Sequence, residues 1–357
     1  MEIQTRMEDM GQAGMMDENI DLRATELTGI VGRESIDTLA EVVGREKWKE
    51  YRNLYDKVSC LELETDFPIQ LDFELNASCN LKCPMCPLSA ESNKGKGKET
   101  WFKFDDFKRI VDEGVKNGLK AIKLNYLNEP LIRNDIAQFI SYAKNAGIED
   151  IYLSTNGMLL TDSLIIELIE SGLTRIQISI DAYTNETYEK VRPGGKMNKV
   201  VNNVERTITL RNNRGSITPL VRVNFVRTEL NEHELKSFIN YWCKKVEMIG
   251  IQEMVKPPIS SIGIKSNTTS NKRKKGFRCS FPFKQMVINN EGDILPCCTF
   301  YGEQLKMGNI KKDEIKNVWN SEKMKQFRKL HKDGKYFQNE ICLKCVEGAI
   351  TQDSVPS

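Results

Sequence analysis

Residues 69–87 read IQLDFELNASCNLKCPMCP. The first half, IQLDFELN (69–76), reads as a strand. The second half sets Cys79, Cys83 and Cys86 in the pattern C-x3-C-x2-C. Pro84 and Pro87 argue against a helix here. Three thiols this close together, directly after a strand, are placed to wrap one cluster or metal ion. Loops at the carboxyl ends of parallel strands are where such folds build their sites. Three ligands are one short of a closed tetrahedral zinc site. They are also one short of a [4Fe–4S] cluster with every iron tied to protein. Either one position stays open, or a distant fourth cysteine completes a zinc knuckle.

Working outward, the strand at 69–76 begins a repeat. Helical patterns at 104–119, 134–147, 161–172, 198–215 and 231–245 alternate with strand patterns at 121–127, 151–155, 175–181, 220–226 and 249–255. Six strands separated by helices favour parallel strands covered by helices. Right-handed crossovers then give a doubly wound sheet or a barrel, with fewer units than the eight of a complete TIM barrel. Before the repeat, residues 1–20 show no periodicity and read as disordered. Residues 34–58 read as one or two helices, with Leu39, Val42, Val43, Trp48, Tyr51 and Leu54 on an approximate stripe. After the repeat, 256–277 is rich in Pro, Ser and Asn and holds a KRKK run; it reads as a solvated linker. QMVINNEGDILPCC then reads as a hairpin, and 313–331 as a helix.

Ten cysteines occur in 357 residues. They cluster at 79–86 and 279–345, which suggests metal binding before disulfides. Cys279, Cys297, Cys298, Cys342 and Cys345 follow the pattern C-x17-C-C-x43-C-x2-C. ICLKC (341–345) reads as a two-thiolate turn. The hairpin brings Cys279 and Cys297 together, and the turn adds Cys342 and Cys345. Four thiolates complete a [4Fe–4S] cluster or a structural zinc ribbon. Neighbours on a strand point to opposite faces, which leaves Cys298 spare. Cys60 and Cys243 read as inert thiols, with a hydrogen-atom donor as the lesser reading of Cys243. Two histidines, His233 and His331, make a His-rich zinc site or a Ser-His-Asp triad a poor choice. A formal net charge of +2 gives no sign of a nucleic-acid or membrane partner. No apolar run reaches the ~18–20 residues of a spanning helix. No secretory signal is visible, so a cytoplasmic protein is expected.

Cys79, Cys83 and Cys86 resemble the signature of the radical S-adenosylmethionine (SAM) superfamily. The resemblance implies a partial (β/α)6 TIM-like barrel with a small C-terminal Cys-rich α+β module. It implies a [4Fe–4S] cluster whose open iron binds SAM and whose electron cleaves it to methionine and a 5′-deoxyadenosyl radical, which takes hydrogen from substrate. Further stretches resemble SAM contacts. Asn128 and Glu129 in LNEPL match the segment that grips the methionine amino group, although Asn128 departs from the usual glycine. Ser154 and Asn156 in STNG match the segment near the ribose. Ser179 and Asp181 match positions facing the ribose or the methionine carboxylate, and Arg192 is placed to pair with that carboxylate. GIQEM (250–254) is similar to the adenine-contacting strand. GDILPCC and the closing CxxC resemble a SPASM or shorter twitch extension, implying one auxiliary [4Fe–4S] cluster on Cys279, Cys297, Cys342 and Cys345.

The resulting division is 1–67 polar tail and helical segment, 68–255 barrel core, 256–277 linker, 278–350 auxiliary cluster module and 351–357 tail. The resemblance further implies a flavodoxin- or ferredoxin-type electron donor and a small-molecule or peptide substrate. The single-cluster spacing favours oxidation or rearrangement of a carbohydrate-like small molecule, with peptide or protein side-chain modification as the alternative. A non-catalytic zinc-binding scaffold is the reading from a different class.

Overall fold

The structure, a computed structural model, describes residues 28–89, 101–255 and 277–349. The expectations for residues 1–20, for the 256–277 linker apart from Phe277, and for the 351–357 tail lie outside these residues.

The chain begins with β1 (Thr28–Val31), a 3-10 turn Arg33–Leu39, α1 (Ala40–Val43) and α2 (Arg45–Ser59). The repeat then runs β2 (Gln70–Phe73), α3 (Phe104–Lys116), β3 (Ala121–Lys123), α4 (Ile136–Ala146), β4 (Asp150–Thr155), α5 (Asp162–Glu170) and β5 (Arg175–Ser179). Two helices follow, α6 (Asn185–Val191) and α7 (Met197–Asn213), then β6 (Leu220–Arg227), α8 (Leu235–Trp242) and β7 (Met248–Glu253). The extra helix α6 was not visible as a separate period in the sequence.

Strands β2 to β7 pair parallel in chain order. Side chains alternate across each strand. Leu71, Phe73, Ile122, Leu153, Ile176 and Val223 point outward and pack in the main core with the helices. Helix α3 presents Phe107, Ile110, Val111 and Gly114 to that core, three or four residues apart. A Cβ on Gly114 would stand 2.5 Å from Leu119 Cδ2, so glycine sets how closely the helix turns back into β3. The other face of the sheet lines one cavity reached by residues of every strand from β2 to β7. The sheet is therefore curled into a partial barrel rather than spread open.

The N-terminal helices close the barrel base. Leu39, Trp48 and Tyr51 pack against Ala121, Leu220 and Met248. Trp48 Nε1 donates to Asp37 Oδ1 at 3.1 Å, which satisfies the buried indole.

Beyond the linker lie α9 (Phe281–Lys284), β8 (Gln285–Ile288), β9 (Asp293–Leu295), β10 (Gly308–Asn309), α10 (Ile315–Trp319), α11 (Glu322–Lys332) and α12 (Glu340–Ala349). Three details differ from the sequence reading. First, β8 and β9 form the expected hairpin, but β8 also pairs parallel with β2 and so extends the barrel sheet. Second, the single helix expected at 313–331 is two, because Ser321 caps a new start by accepting from Met324 N. Third, ICLKC is not a turn: Cys342 and Cys345 lie on α12, three residues apart and thus on one face. Among the described residues no helix is long and apolar enough to cross a membrane.

Candidate active site

The mouth of the cavity is built on loops that follow β2, β3, β4 and β5. Asn76 anchors the first. Its amide donates to the Glu129 carbonyl at 3.1 Å and its Oδ1 accepts from Ser78 N at 3.0 Å. Glu129 N returns a bond to the Ser78 carbonyl. The cysteine loop is thereby tied to the LNEPL loop. Cys79, Cys83 and Cys86 all line the cavity. Backbone bonds within the loop, such as Cys86 N to the Cys83 carbonyl at 3.0 Å, take the place of helix bonds that the prolines forbid.

Glu129 is 2 % exposed. Its carboxylate accepts from Thr155 Oγ1 at 2.6 Å, Asn156 N at 2.8 Å and Leu131 N at 3.2 Å. Burial raises its pKa, and these donors and Arg192 oppose the rise. The carboxylate thus also locks the β3 and β4 loops together, a duty the sequence did not reveal. Asn156 spans from this lock to the cysteines, with its amide 2.7 Å from Asn80 Oδ1 and 3.9 Å from Cys79 Sγ. Asn128 Oδ1 accepts from Tyr126 N, while its Nδ2 lines the buried wall without a hydrogen-bond partner. Ser154 Oγ donates to Gln177 Oε1 at 3.0 Å, and Ser179 also faces the cavity.

Asp181 takes a left-handed backbone (φ 61°) just past β5. That bend turns its fully buried carboxylate toward Arg192, which donates from Nε at 2.9 Å and Nη2 at 2.5 Å. Asp181 Oδ1 also accepts from Val226 N at 2.8 Å. Arg192 Nη1 stands 3.8 Å from Cys83 Sγ. The arginine therefore brings positive charge to the thiol loop while held by its aspartate.

The second set of thiols lines a separate small pocket. Cys279, Cys297, Cys342 and Cys345 surround it with His331 and apolar side chains that include Phe327 and Tyr301. Burial pushes the Cys279, Cys297 and Cys345 thiols up to about 12. Gly302 permits this packing: a Cβ there would lie 2.7 Å from the Cys297 carbonyl. His331 is 2 % exposed, and its Nε2 is 3.5 Å from Cys342 Sγ. Sequence reading missed this histidine because 11 residues and a helix boundary separate it from Cys342. Cys298 faces the large cavity instead, beside Gln285. Cys60 and Cys243 are exposed, away from both pockets.

Among the described residues, no group of three or more His, Cys, Asp or Glu side chains closes on a single ion. A cubane cluster is gripped at its corners, one thiolate per iron, and needs no such convergence. The donor chemistry suits it: two groups of soft thiols, one of three at the large cavity and one of four in a smaller apolar pocket.

Partial barrel, three-thiol mouth and four-thiol module together fit an iron–sulfur protein with room for a ligand beside its first centre. Residues 74–225 match the radical SAM superfamily, and residues 279–346 match an iron–sulfur cluster-binding domain, SPASM. The chain carries a radical SAM domain with a SPASM domain C-terminal to it. That pairing implies SAM, a [4Fe–4S] cluster and an auxiliary cluster.

Over 175 residues the chain is 33% identical to the probable GTP 3′,8-cyclase of Methanococcus maripaludis, covering 49% of this chain and 55% of that protein. It is 34% identical over 163 residues to the GTP 3′,8-cyclase of Alkaliphilus oremlandii, 45% of this chain and 48% of that one. The chain thus spans about half the length of these curated relatives. In fold it resembles Streptococcus suis SuiB bound to S-adenosylmethionine, with TM-score 0.59 and 17% identity over 78% of this chain and 72% of that one. It also resembles BtrN in complex with AdoMet and 2-DOIA, with TM-score 0.51 and 18% identity over 77% and 92%.

Proposed function

We propose that this protein is a radical SAM enzyme that abstracts hydrogen from a polar, sugar-bearing small molecule and so oxidises or rearranges it. The observation that carries the reading is a single cavity of about 540 Å³ in which Cys79, Cys83 and Cys86 share walls with Glu129, Ser179 and Asp181. Its size is that of a small-molecule site.

Cys79, Cys83 and Cys86 would hold the first cluster, and Cys279, Cys297, Cys342 and Cys345 the auxiliary one. Asn128, Glu129, Ser154, Asn156, Ser179, Asp181 and Arg192 would line the SAM site. When bound, the first cluster and SAM supply the electron and the 5′-deoxyadenosyl group that begin the chemistry. The chain's own part is to position and to exclude water. Glu129 keeps an acceptor at the mouth and fixes two loops through one carboxylate. Arg192, held by Asp181, sets a cation beside Cys83 to offset the negative charge of the ligated thiolates. The auxiliary pocket, lined almost wholly by apolar surface and thiols, keeps water from its centre. A flavodoxin- or ferredoxin-type donor would feed electrons in.

The carbohydrate-like reading rests on the single-cluster spacing of the second cysteine set. The cyclase relatives favour a nucleotide instead, and both ligands present a sugar ring. Peptide modification remains the second reading in the enzyme class.

Anaerobic reconstitution with iron and sulfide, then reduction, tests the core claim. A brown protein with about eight irons per chain that cleaves SAM supports it. Replacing Cys79, Cys83 and Cys86 by Ala should abolish cleavage. A colourless protein with tightly held zinc and no SAM cleavage would sink the reading and leave a zinc scaffold. Deuterium transfer from candidate substrates into 5′-deoxyadenosine identifies the target.

A further inference from the structure

The pocket of the auxiliary thiols buries an imidazole. His331 lies on α11 and is 2 % exposed. Its ring meets Phe327, four residues earlier on the same helix, edge to face at 4.9 Å between centroids. Nε2 stands 3.5 Å from Cys342 Sγ on α12, a hydrogen-bond distance for the large sulfur atom. Nδ1 is buried and has no hydrogen-bond partner among the described residues. Desolvating an imidazole for packing alone costs free energy that an apolar side chain would not.

We propose that His331 is a positioning residue of the auxiliary centre: its Nε2–H donates to the ligated Cys342 thiolate, and with the Thr299 hydroxyl it raises the reduction potential of the cluster. The proposal rests on a cluster in this pocket and on no assumption about the substrate.

The tautomer follows from the acceptor. Burial among apolar side chains favours the neutral ring, which carries one proton. A thiol that ligates iron is deprotonated and can only accept. Cys342 Sγ is the one hydrogen-bond partner of the ring among the described residues. A proton on Nδ1 would orphan a buried N–H and turn a lone pair toward the thiolate, two penalties at once. A proton on Nε2 makes the bond and leaves only a bare lone pair. The ring is not needed as a ligand, since four cysteines answer the four irons of a cubane.

Thr299 adds a second donor. Its Oγ1 lies 3.6 Å from Cys297 Sγ and 3.8 Å from Cys345 Sγ. Its carbonyl accepts from Tyr126 OH at 2.6 Å, and Tyr126 lines the large cavity. Thr299 itself lines both cavities and so forms part of the wall between them. Cys297, Cys342 and Cys345 therefore each stand within reach of a side-chain donor. Such donors withdraw electron density from the thiolates and favour the reduced, more negative cluster. A pocket of low dielectric strengthens the effect. The auxiliary centre is thereby set to take up an electron more readily than bare thiolates would allow.

The full chain carrying Cys79→Ala, Cys83→Ala and Cys86→Ala, reconstituted with iron and sulfide, isolates the auxiliary centre at about four irons per chain. Its midpoint potential is read by redox titration followed by electron paramagnetic resonance. His331→Phe should make reduction at least tenfold less favourable, a drop of ~59 mV for one electron. His331→Gln, whose amide nitrogen reaches as far as Nε2, should recover at least half of that drop. Thr299→Val should shift the midpoint in the same downward direction. The chain has two histidines, and His233 is exposed. Isotopic labelling of histidine nitrogen therefore reports on the one histidine in the pocket, and the reduced cluster should show a weak nitrogen coupling. No coupling, or coupling as strong as that of an iron-bound imidazole, overturns the proposal. So does an unchanged midpoint in a His331→Phe protein that keeps its irons. Where His331→Phe holds no iron, the nitrogen coupling and the Thr299→Val midpoint decide, and absence of either effect overturns it. Zinc in place of iron would overturn the auxiliary cluster itself, a separate failure read from metal content.

Discussion

Asp181 is the residue on which the site turns. Its left-handed backbone is a conformation that asparagine also tolerates. Asp181→Asn should keep the bend and the bond from Val226 N but lose the charge opposite Arg192. Leaving a buried cation without its anion costs about 3–5 kcal/mol, so urea unfolding should show a loss of that order. Glu74 offers a test by pH. Burial raises its pKa to about 7, against bonds from Asn290 N and Leu127 N. The folded state therefore holds a proton that the unfolded state releases near pH 4.5. The stability this gives is full below about 4.5 and is lost as pH rises through 7. Glu74→Gln should gain on wild type by up to about 3 kcal/mol between pH 4.5 and 8, read from denaturation midpoints across that range. At this scale the sequence exposed the cysteines, because thiol spacing is local. It hid Glu129's three-way lock and His331's approach to Cys342, because those depend on which loops meet.

Helix α12 shows why element type matters as much as ligand identity. On its face Cys342 and Cys345 project side by side, while Cys279 and Cys297 approach from chain segments flanking the β8–β9 hairpin. Replacing Cys342 and Cys345 by Ser should lower iron from about eight to about four per chain and leave uncoupled SAM cleavage. Loss of both clusters would mean the two centres are not separate. The order of strands and helices was legible from period alone. The polar lumen was legible too and went unread. Strands of a parallel sheet covered on both faces read as continuous apolar runs. These instead alternate, with Gln70 and Asp72, Tyr152 and Ser154, Arg175, Gln177 and Ser179, and Arg222 and Asn224 all at period two. Such a pattern marks a chamber rather than a packed interior.

In the whole molecule, the N-terminal helices act as the floor of the barrel. Trp48 is 3 % exposed beneath it. Trp48→Ala should cost about 3–5 kcal/mol, measured by thermal or urea unfolding. An amphipathic stripe at 34–58 revealed a helix there but not what it would cover, since a stripe says that a face is buried and not against what. Sheet pairing carries a last consequence. The two strands that flank the six-stranded wall, β1 on β7 and β8 on β2, come from opposite ends of the described chain. A bare strand edge is a template for pairing with other chains. As this protein is synthesised, the β2 edge stays uncovered until residue 288 has emerged, long after its neighbours can fold. The C-terminal module is therefore also what ends a period of exposure to aggregation, and a chain truncated before β8 should precipitate rather than persist as a smaller barrel.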